Sequence, residues 1–218
     1  MDLRENLSAL QGDARVVYMR DRANIPFLDR WFFEGVFQIG GQLLSAERKF
    51  LYNWVKAIRP QLVFEIGTAG GGGSTYFIAQ ALWENGEGML HTAEIDLGGF
   101  NSAVENYKLL LGYLMPHITF HHGDAKPQFA PIVSRMQFGD IVFFDGGDEA
   151  EATMDQYKMF LPYLKEGTYL MSHDWISGPG NNKARLLRPA VEADPKWELV
   201  DSLSPPSSVG IVLYKRLA

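Results

Sequence analysis

From about residue 46 onward, short apolar runs and helix-patterned segments take turns, and this alternation restricts the fold more than any other feature. The runs are "QLVFEIG", "GMLHTAEID", "HITFHHGD", "DIVFFDGGD" and "GTYLMSHD". Each reads as a buried strand bounded by turn or polar residues. Ser45 can cap a preceding helix that places Phe50, Leu51, Trp54, Val55 and Ile58 on one face, and Pro60 ends it. Between the runs lie "STYFIAQALWEN", "NSAVENYKLLLGYL" with Val104, Leu111 and Leu114 on its apolar side, and "EAEATMDQYKMFLPYL", which should bury Met154, Tyr157 and Leu161. "NKARLLRPAVEA" reads as a last helix, and "WELVDSL" and "VGIVLYKRL" as two strands that could pair antiparallel. Strand–helix alternation of this kind demands a sheet covered on both faces. The expected fold is therefore α/β: a doubly wound, mostly parallel seven-stranded sheet with an antiparallel C-terminal strand and helices on both sides.

In such sheets a ligand sits beyond the carboxyl ends of the strands, where the strand order reverses. The residues at those ends are Glu65 and Gly67, Glu94 and Asp96, Asp124, Asp145 and Asp148, and His173 and Asp174. Helix capping accounts for one or two carboxylates there, such as Asp96 or Asp148. It accounts less well for a carboxylate at the end of every strand.

The glycine loop "EIGTAGGGGST" follows the first strand and opens a helix. Glycines there let a ligand approach the backbone. The fit to a dinucleotide fingerprint is loose, because Ala69 stands at the second glycine. Glu65 lies within the loop's approach and would repel a pyrophosphate, whereas it suits a ligand with a cationic amino group. Glu94 stands where an acidic residue takes ribose hydroxyls. A nucleoside joined to an amino acid fits these points better than a dinucleotide.

"VFEIGTAGGGGST", "HTAEID", "HHGDA", "GDIVFFDGG" and "GTYLMSHDW" resemble, in order, the motifs of class I S-adenosylmethionine-dependent methyltransferases. The spacing is similar to that of the metal-dependent O-methyltransferases of catechol and macrolide or sugar type, over roughly residues 40–215. The resemblance implies a Rossmann-like sheet. It implies that Glu65 and the glycines, Gly67 and Gly71 among them, hold the methionine part of S-adenosylmethionine. Glu94 would take the ribose, Asp124 or the amide of Ala125 would lie near the adenine, and Thr68, Ala69, Ser74, Asp96 and Asp145 are further expected cofactor-binding residues.

The fourth and fifth strands should be neighbours, which brings Asp145 near His173 and Asp174. Three negative or lone-pair groups converging without a cation are electrostatically poor, and a divalent metal on Asp145, His173 and Asp174 resolves this. The resembling enzymes bind magnesium there. His173 departs from their pattern, and imidazole also suits manganese, iron or other ions. The alternative is that His173 bonds a carbonyl and Asp174 caps the next segment. The expected chemistry is methyl transfer to a metal-chelated hydroxyl, with a base to take the proton. Resembling catechol enzymes carry a lysine three residues after the first aspartate; Asp148 stands there in this chain and is one candidate base, and His173 is the other if no metal binds.

The absence of cysteine removes disulfides and thiolate chemistry and fits a reducing compartment. No run reaches membrane-spanning length, and the polar start "MDLRENLSALQGDAR" does not resemble a signal peptide, so a cytoplasmic location and no membrane partner are expected. A net charge of -6 disfavours nucleic acid and leaves a small-molecule acceptor, such as a secondary metabolite, as the expected partner. Residues 1–45, with the aromatic run "IPFLDRWFFEGVFQIGG", lie outside the alternation and read as a packing segment, a lid or a homodimer surface. Residues 46–218 read as the methyltransferase domain. Competing readings are a nicotinamide oxidoreductase, disfavoured by Glu65 and by the lack of a catalytic tyrosine–lysine pair, and a non-catalytic nucleoside-binding module.

Overall fold

The computed structural model describes residues 43–147, 149–176, 182–204 and 209–218. Most of the segment 1–45, Trp31 included, and Asp148 lie outside the described residues. Seven strands form one sheet: β1 (Leu62–Ile66), β2 (Met89–Glu94), β3 (Ile118–His122), β4 (Ile141–Phe144), β5 (Tyr169–His173), β6 (Trp197–Leu203) and β7 (Ile211–Arg216). Their order is β3-β2-β1-β4-β5-β7-β6. The first five pair in parallel, and β7 runs antiparallel to both β5 and β6. The doubly wound sheet with an antiparallel C-terminal strand is thus present. Its order reverses between β1 and β4.

Among the described residues, six α-helices flank it: α1 (Ser45–Ile58), α2 (Ser74–Asn85), α3 (Leu97–Leu110), α4 (Ala125–Phe129), α5 (Ala150–Phe160) and α6 (Ala184–Ala193). The period-2 alternation of the strands divides the core. Val63, Phe143, Met171 and Leu213 face one way and pack with Leu51, Val55, Phe77, Leu82 and Tyr107 of α1, α2 and α3. Phe64, Phe144, Leu170 and Val212 face the other way and pack with Phe129, Tyr157, Phe160, Leu187 and Val191 of α4, α5 and α6. Phe64 contacts Phe129 edge-on at 5.1 Å between ring centroids, and Phe144 meets Phe160 at 6.0 Å.

Several local expectations shift. Ser45 is the first residue of α1 and not its cap; the Glu47 carboxylate accepts the Leu44 N–H at 2.8 Å instead. Helix α3 starts four residues earlier than its apolar pattern suggests, because Asp96 caps it by accepting the Gly99 N–H at 2.6 Å. Ala103 and Tyr107 are its buried residues, while Leu111 and Leu114 are buried just past its end. On α5 the buried set is Ala150, Thr153, Tyr157 and Phe160. Leu161 is turned outward because the α-helix has already given way to a 3-10 turn. At the opposite end of the sheet, Asp140 accepts the N–H groups of Gln61, Leu62 and Gln137 and ties the start of β1 to β4.

Candidate active site

At the carboxyl ends of the strands, across the reversal between β1 and β4, lies a cavity of about 470 Å³. This is within the range of small-molecule and cofactor sites. Of the residues singled out from sequence, Gly67, Thr68, Ala69, Ser74, Glu94, Asp124, Ala125, Asp145 and Asp174 line it.

The loop after β1 is shaped for close approach. Gly67 has φ +98°, and a Cβ there would stand 2.3 Å from the Asp145 carbonyl oxygen. Only glycine lets the ends of β1 and β4 sit so close. Glu94 reaches back over this loop: its Oε2 accepts the Ala69 N–H at 2.7 Å and its Oε1 the Asp96 N–H at 2.8 Å. Two backbone donors fix the carboxylate on the cavity wall, with lone pairs left for a ligand's hydroxyls. Asp124 caps α4 by accepting the Lys126 N–H at 2.9 Å while also lining the cavity.

Three expected cofactor residues stand elsewhere. Glu65 shares the face of β1 that carries Val63, so it points beneath α2 and not into the cavity. It is fully buried; its Oε2 accepts the Thr75 hydroxyl at 2.7 Å and its Oε1 has no hydrogen-bond partner. Burial pushes its carboxyl up to about 7, against the pull of the Ser74, Thr92 and Thr75 hydroxyls. Gly71 makes room for the Tyr107 ring, whose hydroxyl donates to the Gly71 carbonyl at 2.8 Å. Asp96 serves the start of α3. Trp175 is buried against Tyr214 and does not wall the cavity. His91 and His121 contact each other at 3.1 Å away from it, and burial lowers the proton affinity of both.

Because β4 and β5 are neighbours, Asp145, His173 and Asp174 converge as expected, each offering a ligand atom within 4.8 Å of the others. Asp174 holds its place with φ +58°, a conformation disfavoured for any residue with a side chain. His173 Nδ1 lies 3.2 Å from Asp145 Oδ1 and 3.3 Å from Asp174 Oδ2. Its Nε2 lies 3.3 Å from Glu47 Oε2 on α1, at an angle that makes no hydrogen bond. Burial alone would lower the proton affinity of this ring, but the three carboxylates around it push it up to about 11. The ring therefore carries its proton at neutral pH and acts as a cation.

Sequence reasoning missed Lys183. Its ammonium stands 3.1 Å from Asp145 Oδ1 and contacts Asp174 Oδ2. Burial disfavours the charged lysine, yet the Asp145 and Asp174 carboxylates outweigh it and raise its proton affinity. Burial likewise acts against the Asp174 carboxylate, and His173 with Lys183 nonetheless holds it at about 2. Three carboxylates and two cations leave these five groups one net negative charge. The donor set as it stands does not fit a divalent ion, since an ammonium and an imidazolium already address the carboxylate oxygens that such an ion would need. Lys183 stands where α6 begins, a place of the wrong sign for a cation, but Arg185 in the same turn shares that sign, so the sequence does not single Lys183 out. Leu43, Ile95 and Gln156 are among the other lining residues and carried no signal.

The fold and the site together define a class I S-adenosylmethionine-dependent methyltransferase. A family model described as "Methyltransferase domain" matches residues 64–175, just over half of the chain, and the chain belongs to that family. No curated protein matches the chain. Among solved structures, a Klebsiella pneumoniae protein described as a candidate O-methyltransferase shares 22% identity with a TM-score of 0.67, over 100% of both chains. An O-methyltransferase of Bacillus cereus, solved with SAH, shares 18% identity with a TM-score of 0.67, over 98% of this chain and 100% of that one. The O-methyltransferase TomG of Streptomyces achromogenes, involved in tomaymycin synthesis and solved with SAM, shares 17% identity with a TM-score of 0.65, over 100% of both. Among the described residues, no helix is long and apolar enough to cross a membrane.

Proposed function

We propose that this protein transfers the methyl group of S-adenosylmethionine to a hydroxyl oxygen of a small molecule, of the kind found among secondary metabolites. The observation that carries the reading is the cavity's two-sided lining. The glycine loop, Glu94 and Asp124 form one side, and Asp145 and Asp174 the other. The Glu94 carboxylate, fixed by two amides, suits a ribose diol, and the crowded contact of Gly67 with β4 brings the donor side next to the acidic side. Asp145 and Asp174 on the cavity wall favour a cationic ligand nearby. S-Adenosylmethionine supplies such a charge together with an activated methyl group. The names of the Bacillus cereus and Streptomyces achromogenes structures point to oxygen as the acceptor atom.

In the reaction a lone pair of the acceptor oxygen forms a bond to the methyl carbon while the carbon–sulfur bond breaks. Its electrons return to sulfur, and the hydroxyl proton leaves to a base or to solvent. The chain's part is to position donor and acceptor and to stabilise charge around the oxygen. His173, which already holds its proton, contributes charge and not proton acceptance. Asp148 stays a proposed base on its sequence position alone.

Isothermal titration calorimetry with S-adenosylhomocysteine and with NAD tests the reading. The former should bind with 1:1 stoichiometry and the latter should not. Preference for NAD would overturn the proposal.

A further inference from the structure

Lys183 is oddly placed for a structural residue. It precedes the first turn of α6, where a positive charge opposes the helix dipole, and it makes no capping hydrogen bond. Its side chain is only 3% exposed, and burial of an ammonium is unfavourable unless it is paired. Two oxygens that pair with it belong to strand ends at the cavity: Asp145 Oδ1 after β4 and Asp174 Oδ2 after β5. These same two oxygens face His173 Nδ1. Asp174 keeps a left-handed backbone in this arrangement.

We propose that Lys183 supplies, as part of the chain, the positive charge that a divalent metal would bring to this site, so that the protein binds its cofactor and acts without a metal ion. The inference rests on the methyltransferase reading above. A hard divalent ion binds carboxylate oxygens at about 2.0–2.6 Å and needs their lone pairs. An ammonium already spanning Asp145 and Asp174 occupies that space and repels a second cation. The convergence of acidic groups that suggests a metal from sequence is thus balanced by an organic cation from a helix start that the strand-end pattern does not include. Deleting the ammonium should open the site to a metal, since the Asp145 and Asp174 carboxylates would remain with room between them and an incoming ion would displace the proton from His173 Nδ1.

The test uses the full chain, freed of metal with EDTA and dialysed, with manganese(II) chloride alone as the probe in calorimetry and electron paramagnetic resonance. The wild-type protein should show no stoichiometric manganese binding up to millimolar concentration. Lys183→Ala should bind manganese at least tenfold more tightly than wild type, and Asp174→Asn in the Lys183→Ala background should cancel the gain. Stoichiometric binding to the wild-type chain at micromolar concentration would overturn the proposal, whether or not Lys183→Ala folds. So would a folded Lys183→Ala protein with no gain. S-Adenosylhomocysteine is titrated into the same EDTA-treated wild-type sample. Unchanged affinity on adding magnesium is expected, and a tenfold increase counts against the proposal. Absence of S-adenosylhomocysteine binding with and without magnesium would instead defeat the methyltransferase reading, so the two failures are distinguishable.

Discussion

Replacing Glu65 by glutamine should make the protein more stable at pH 8 and leave it unchanged near pH 4. Glu65 is a fully buried carboxyl with one oxygen lacking any partner, and burial raises its proton affinity from the ordinary 4.5 to about 7. Below 4.5 the side chain is protonated in both folded and unfolded chains, and folding carries no charge penalty. Between 4.5 and 7 the folded chain keeps a proton that the unfolded chain releases, so stability falls as pH rises. Above 7 the folded chain holds a buried carboxylate, and the penalty reaches its full value of roughly 3 kcal/mol. Glutamine imitates the neutral acid, can still accept the Thr75 hydroxyl, and does not titrate. The gain for Glu65→Gln at pH 8 should be of that order, shrinking to nearly zero by pH 4. Urea unfolding followed by tryptophan fluorescence, at half-unit steps from pH 4 to 8 without ligand, measures the difference directly. A flat difference between the two proteins across that range, or a Glu65→Gln protein less stable at pH 8, would show that Glu65 is stably ionised in the fold and that its isolation beneath α2 has been misjudged.

Glu94→Ala removes the carboxylate that accepts the Ala69 and Asp96 amides, and it should weaken S-adenosylhomocysteine binding by roughly 10- to 100-fold in calorimetry. Gly67→Ala places a methyl 2.3 Å from the Asp145 carbonyl at φ +98°, and chemical unfolding should show a loss of roughly 2–4 kcal/mol together with loss of ligand binding. The charged cluster predicts opposite trends at the two pH extremes. Stability from Asp174 is present above 3.8 and lost as pH falls through about 2, while stability from His173 is present below 6.5 and lost as pH rises through about 11. His173→Gln should therefore flatten the alkaline limb of a thermal-melting profile, and an unchanged limb would place the loss in other groups.

What could be read from the chain, and what could not, follows from the range of the forces involved. Strand identity rests on local apolar runs, and neighbouring strands follow from the rule for doubly wound sheets, so the meeting of Asp145 with His173 and Asp174 is legible in the sequence. Glu94 was legible too, because the acidic end of β2 has a fixed relation to the glycine loop. Glu65 was misplaced for a reason also present in the sequence: it is two residues from Val63, and the period of a strand puts both under α1 and α2. Counting that period gives the face, while counting only from the glycine loop does not. Lys183 is a different case. It is nine residues beyond Asp174, across a glycine- and asparagine-rich stretch with no period, and nothing local says that its chain returns to the strand ends. Charge balance called for a divalent metal on Asp145, His173 and Asp174, since three such groups converge unfavourably without a cation. Charge balance does not say whether that cation is a metal or an ammonium. Only the path of the chain into α6 distinguishes the two, and it brings Lys183 Nζ to the same carboxylate oxygens.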